Sequence, residues 1–317
     1  MNSIKNKIKF WSGLLTLLLG LFFLSCEQVI NPTLQSASPV LVVDAWVNNK
    51  LTKQVILLTQ TQPYFDDAQP TGVSGAVVTV ADLNDGTIYS FIENSNKKGS
   101  YEWAPSSGSL GAIGHNYKLS IVLSGETFEA SSHMGRVPPI DSITFEKDVR
   151  NVEKDKIRYQ GQFWARDPAG IGDTYWIKAV KNDTLLNKPS EINVAYDQSF
   201  SAGGGAKTGD KDSIEFIQPI RRGITPDNSN VDGNPSPFWP GDSVYVEINS
   251  ITLAAFNYLN EVKVQTDRPG GFSELFARPI ANVSTNVTNV NPKGSAVMGF
   301  FNVGAVSARG QKFIKVN

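Results

Sequence analysis

Apolar and polar positions alternate along most of the chain with a period of two, in short runs. Residues 40–47 read Val-Leu-Val-Val-Asp-Ala-Trp-Val and stop at Asn48 and Asn49; residues 53–61 carry Val55, Ile56, Leu57 and Leu58. Runs of this length, rich in β-branched and aromatic residues and bounded by Gly, Asn, Asp or Pro, predict strands. The same pattern predicts strands over 75–80, 87–92, 100–104, 117–123 and 128–131, with turns between them. Strands so spaced predict a β-sandwich. Pro138 and Pro139 cannot sit inside a central strand, so the first unit is expected to close near residue 137.

Further on, strands are expected over 141–145, 157–167 and 174–180. The last of these sets Tyr175, Ile177 and Ala179 against Trp176, Lys178 and Val180, which predicts burial on both faces. Residues 185–210 are polar, include Gly203, Gly204 and Gly205, and read as a mobile surface excursion. Residues 221–242 are long, irregular and rich in Pro, Asn, Asp and Gly, a length typical of functional or disordered connections. A strand over 243–249 precedes the best helical pattern, 252–265, with Leu253, Phe256, Leu259 and Val262. A closing strand or strand pair is expected over 296–306, interrupted by Gly299 and Gly304. The predicted fold is mainly β. A transthyretin-like or immunoglobulin-like β-sandwich over 40–137 is followed by a β-rich second domain over 138–317 with one short helix and long loops.

The start of the chain has another logic. Lys5, Lys7 and Lys9 precede an apolar run over 14–24 that ends in Ser25 and Cys26, the order of a secretion signal. The apolar segment is short for a bilayer span, which takes about 20 residues. Cys26 is the one cysteine in 317 residues, so it has no internal disulfide partner. Residues 22–26, Phe-Phe-Leu-Ser-Cys, resemble the lipobox of bacterial lipoproteins, in which the peptidase cuts before the cysteine. The expectation is a signal peptide over 1–25, a mature chain beginning at lipidated Cys26, and a tether over 26–39. Membrane lipid is thus the first partner, reached through acyl chains worth about 0.8 kcal/mol per buried methylene.

Composition narrows the chemistry. With 29 basic and 30 acidic residues the net charge is −1, and no basic tract follows a nucleic-acid backbone, so nucleic acid is not an expected partner. The two histidines, His115 and His133, have no histidine or cysteine at ligand spacing, and no serine sits in a Gly-x-Ser-x-Gly context. No catalytic residue and no cofactor are therefore assigned. Residues 62–70 bring Tyr64, Phe65, Asp66 and Asp67 together, as an ordinary turn or a recognition loop. Asn228, Asn230, Asp232 and Gly233 match the early half of a calcium loop, but position twelve is Trp239, which cannot supply the closing carboxylate. Trp239, between Pro237 and Pro240, reads as packing the long loop down more readily than stacking a sugar. Asp82, Asn84, Asp85 and Gly86 read as a hairpin turn.

Several ordered features carry a resemblance: the lipobox, Leu-Val-Val-Asp-Ala-Trp-Val over 41–47, residues 63–67 followed by Val-Ser-Gly-Ala over 73–76, and Val-Pro-Pro-Ile-Asp-Ser over 137–142. Together with residues 282–304 they resemble the Bacteroidetes outer-membrane lipoprotein family called domain of unknown function 4249, over nearly all of the mature chain. The resemblance implies a cell-envelope lipoprotein in the company of TonB-dependent outer-membrane transporters and supplies no catalytic residues. Surface-exported lipoproteins of that phylum often carry acidic residues after the cysteine. Here Glu27 is followed by Gln28, Val29 and Ile30, which leaves the periplasmic and surface faces both open. The expected function is a noncatalytic accessory lipoprotein of the outer membrane that binds a ligand or a transporter, with residues 221–242 as a contact surface. An adhesin or structural envelope module, and a carboxylate-based hydrolase of peptide or glycan, are the alternatives.

Overall fold

The computed structural model describes residues 38–63, 66, 68–106, 108–148, 157–196, 215–231, 233 and 235–314. Cys26, the signal segment, Tyr64, Phe65, Asp67 and Asp232 lie outside the described residues. The first seven strands are β1 (Leu41–Asn48), β2 (Gln54–Gln60), β3 (Val77–Asp82), β4 (Ile88–Glu93), β5 (Ser100–Trp103), β6 (Asn116–Leu123) and β7 (Glu126–His133). They bond antiparallel in the order β7-β6-β3-β4-β5-β2-β1. In β1 the alternation turns Val43, Ala45 and Val47 inward and leaves Val42, Asp44 and Trp46 on the outer face.

The chain then forms β8 (Ile140–Lys147) and β9 (Tyr159–Ala165), an antiparallel ribbon. β10 (Thr174–Lys181) is bordered on one side by β11 (Thr184–Leu185) and β12 (Asn193–Tyr196), and on the other by β13 (Ser243–Ile251). After α1 (Leu253–Thr266) come β14 (Thr288–Asn289), β15 (Val297–Gly304) and β16 (Val306–Lys312). β14 pairs with β7 and β15 runs parallel to β1, so the C-terminal chain extends both edges of the first sheet to nine strands. β16 pairs with β13 in the second sheet. Residues 288–304 thus return to the sheet begun by residues 41–48, and the sheets do not follow a division at residue 137.

The nine-stranded sheet is nearly closed and barrel-like. Its seam lies between β7 and β15, where side chains stand in for a ladder. The Asn286 side chain accepts from Phe301 N at 2.9 Å and donates to Phe301 O at 2.7 Å and to Ser131 O at 3.4 Å. Val303 N donates to Ser132 Oγ at 2.9 Å. The interior is filled by apolar side chains from every side, among them Ile56, Val80, Tyr117, Phe128 and Phe301. Gly299, at φ 97°, lets β15 lie against β1, because a Cβ there would collide with the Val43 carbonyl.

A second core forms where β8 and β9 face β10, β13 and β16 through Ile143, Phe163, Ile177, Val246 and Ile248. Phe216, Ile220, Ile224 and Phe238 close it. Residues 221–242, expected as an exposed contact loop, therefore cover a hydrophobic core in part. Phe238, fully buried, pins them down, whereas its neighbour Trp239 is 52% exposed; the packing role expected of Trp239 falls to Phe238. The surface excursion expected over 185–210 is exposed at Leu185 and over 187–189, and is corrected for Asn193–Tyr196, which belongs to a sheet. Asn193–Tyr196 is a strand whose order comes from pairing with β10, and four residues are too few to show a period. The helix expected over 252–265 is α1, started by Thr252, whose hydroxyl accepts from Ala255 N. Among the described residues no helix is long and apolar enough to cross a membrane.

Candidate functional site

The outer faces of two sheets meet under α1. On β1, Asp44 and Trp46 are two residues apart and so share the face opposite the barrel interior. On β10, Trp176 and Lys178 share the face opposite the second core, which holds Tyr175, Ile177 and Ala179. α1 adds Tyr258 and Val262, one turn apart, while Ala255 and Leu259 pack it down on Ile251 and Phe300. The two-sided burial expected of residues 174–180 is thus half right in kind: one face is core, the other a cleft wall.

The aromatic rings interlock. Trp46 meets Trp176 edge-on at 5.0 Å between centroids and stacks on Phe300 at 5.7 Å; Tyr258 lies 4.6 Å from Phe300. Each such pair adds about 0.5–1.5 kcal/mol beyond burial, which makes these walls stiff. Trp46, Trp176 and Tyr258 line a cleft of about 370 Å³ whose other apolar residues include Leu185, Leu186, Ile192 and Val262. That is within the usual size of small-molecule sites, roughly 300–1,000 Å³.

The rim over 188–191 is fastened from outside. Ser190 Oγ donates to Asp227 Oδ2 at 2.5 Å, and Glu191 accepts from Lys188 N and Asp227 N, each at 2.9 Å. Hydrogen bonds from Ser190 and Ser229 hold the Asp227 carboxyl down at about 2. Lys263 Nζ donates to Ile192 O at 3.2 Å and so joins α1 to the rim.

Inside the cleft the polar groups are not satisfied in this way. Among the described residues, the Asp44 carboxylate, the Lys178 ammonium and the Tyr258 hydroxyl have no hydrogen-bond or ion-pair partner. Glu247, opposite Lys178 on β13, is taken by Lys50 in an ion pair. Lys178 lies over the Trp176 ring, its Nζ 3.8 Å from the centroid. Desolvation pushes the Asp44 carboxyl above its ordinary value, only partly offset by Lys178. Asp44 keeps solvent access through the cleft mouth, so the walls around it, rather than full enclosure, cause this rise. Desolvation likewise lowers Lys178, against the opposing pull of Glu247 and Asp44, and raises the Tyr258 hydroxyl.

A second cluster behaves differently. Asp82, Asp85 and His115 place ligand-type atoms within 4.8 Å of one another. Asp82 accepts from Asn84 N at 2.9 Å and meets His115 Nδ1 at 2.8 Å, while Asp85 accepts from Thr87 N at 2.8 Å. These are the bonds of a hairpin turn between β3 and β4 and of its link to the loop before β6.

The residues nominated from sequence do not converge on the cleft. Asp66 accepts from Ala68 N at 3.0 Å within its own loop, Asn228 donates to Pro235 O at 3.3 Å, and Asn230 is exposed. None of these, nor Trp239, lines the cleft. Asp44, Trp46, Trp176, Lys178 and Tyr258 were missed as a set. The available signal was a charge and an aromatic side by side on one face of each of two otherwise apolar strands.

Residues 27–309 match the family described as Domain of unknown function (DUF4249). No curated protein matches the chain.

Proposed function

Because the chain belongs to the family described as Domain of unknown function (DUF4249), a description that carries no activity, we propose a function from its own cleft and sequence. It is a noncatalytic accessory lipoprotein of the Bacteroidetes outer membrane, anchored through Cys26, that holds a small ligand in the cleft beside a TonB-dependent transporter. The observation that carries the binding reading is that Asp44, Lys178 and Tyr258, set on aromatic walls, have no hydrogen-bond or ion-pair partner among the described residues. A fold keeps partnerless charges in a partly desolvated cleft at a cost in stability, and a bound ligand supplies the missing partners. Anchoring is supported by the order Lys5, Lys7, Lys9, apolar run, Ser25, Cys26.

The noncatalytic reading is supported by the carboxylates. Glu191, the other acid lining the cleft, already binds two backbone amides, and a paired-carboxylate hydrolase needs both acids free for substrate. A transthyretin-like or immunoglobulin-like fold for the N-terminal unit belongs to the same reading, on the strength of its short antiparallel strands.

The test is isolation of the full tagged chain from native membranes in mild detergent, as wild type and as Trp46→Ala, with proteins and small molecules identified by mass spectrometry. A co-purifying transporter, together with a small molecule lost from Trp46→Ala, is the expected result. Wild type free of both would end the accessory reading and move the adhesin or structural module ahead of it.

A further inference from the structure

The cleft presents two opposite charges that do not neutralise each other. Asp44 and Lys178 line the same cleft yet form no ion pair, and neither makes a hydrogen bond among the described residues. The carboxylate offers only acceptors and the ammonium only donors. An anionic ligand would satisfy Lys178 and leave Asp44 beside a second negative charge; a cationic ligand would do the reverse. A neutral sugar meets neither charge with a countercharge. Its other means of attachment, stacking, is also restricted, because Lys178 lies over Trp176 and Phe300 stacks on Trp46. The remaining surface, from Leu185, Leu186, Ile192 and Val262, suits an apolar body.

We propose that the cleft takes a small zwitterion, a protonated amine against Asp44 and a carboxylate against Lys178 joined by an apolar body, the chemistry of an amino acid or a short peptide. The inference rests on the binding function proposed above and deepens it. Tyr258, whose hydroxyl both donates and accepts, lines the cleft with Asp44 and completes the polar end. The stiff ring cluster orients these groups before the ligand arrives, which lowers the ordering cost of binding.

Titration calorimetry of the full chain in mild detergent tests this with five probes: leucine, dileucine, N-acetyl-dileucine, dileucine methyl ester and maltotriose. Leucine or dileucine is expected to bind saturably, and the stronger of the two tells a free amino acid site from a peptide site. Blocking either end should weaken dileucine by about tenfold or more, the loss of one charge-assisted contact. Asp44→Asn should weaken dileucine but not the anionic N-acetyl form, which is relieved of a like charge. Lys178→Met should weaken dileucine but not the cationic methyl ester, which is relieved of a like charge. Blocked and free dileucine binding alike would overturn the zwitterion, as would the absence of heat from leucine and dileucine. Maltotriose binding that Trp46→Ala abolishes would overturn it too, while leaving the cleft as the binding site. The co-purification experiment judges the binding function separately.

Discussion

Asp82 and Asp44 are two acids on strands of the same sheet, and they are treated in opposite ways. Asp82 is 1% exposed; burial alone would raise its carboxyl, but bonds from His115, Asn84 and Tyr117 outweigh that and hold it below the usual carboxylate range. Asp44 is open to solvent at the cleft mouth, has no partner among the described residues, and is pushed up. The fold satisfies the acid that water cannot reach and leaves unsatisfied the one that a ligand can. The same contrast runs through the molecule. The barrel seam is closed by Asn286 and Ser132, and the buried Tyr101 hydroxyl accepts from Ala76 N and donates to Val73 O, while the Lys178 ammonium and the Tyr258 hydroxyl make no hydrogen bond or ion pair among the described residues. Scaffold and cleft should therefore respond differently to substitution.

The largest effect is expected at Phe301, fully buried where β15 closes the barrel: Phe301→Ala should cost about 3–5 kcal/mol in urea unfolding. Trp46→Ala, at a wall open on one side, should cost clearly less; an equal cost would make the cleft ordinary core. Asp82→Ala, which strips Asn84 N and His115 of their partner, should cost about 2–3 kcal/mol by the same method. Asn286→Ala should cost about 1–2 kcal/mol and speed amide exchange at Phe301 and Val303, since the seam loses its side-chain bridge. No change in exchange there would mean that the edges of β7 and β15 hold without it.

The smallest and most telling effect concerns pH. A carboxyl lowered by folding, such as Asp82, stabilises above its ordinary value of 3.8, and that contribution is lost as pH falls through its lower folded value. A carboxyl raised by folding, such as Asp44, does the opposite. It costs stability at neutral pH, and the cost vanishes as pH falls through its raised folded value towards 3.8. Asp44→Asn should thus melt slightly above wild type at pH 7 and converge with it on acidification. Asp82→Asn should melt below wild type at pH 7, with the gap narrowing below pH 3.8. Melting scans across pH 3–7 would show crossed trends for the two variants; parallel trends would erase the distinction between the acids.

Much of the scaffold was legible because its signals are local. Alternation in residues 41–48, turn residues at 83–86 and the cap and spacing of α1 all act within a few neighbours. What was not legible depends on distant partners. The parallel pairing of β1 with β15 joins residues more than two hundred and fifty positions apart, and no period announces it. β12 exists because β10 lies beside it. Phe238 rather than Trp239 anchors the long loop because of which ring faces Phe145, a matter of packing and not of composition. The cleft was missed for the same reason. Asp44 and Lys178 lie on strands far apart in sequence, and only the meeting of two sheets under α1 places them in one cavity.

The most direct test of this division between scaffold and site is a ligand-dependent melting measurement on wild type and Asp44→Asn at pH 7, with and without dileucine. The account predicts that the variant melts at or slightly above wild type when free and that dileucine raises the melting temperature of wild type alone. A variant that melts well below wild type, or that gains as much from dileucine, would show that Asp44 serves the fold and not a ligand.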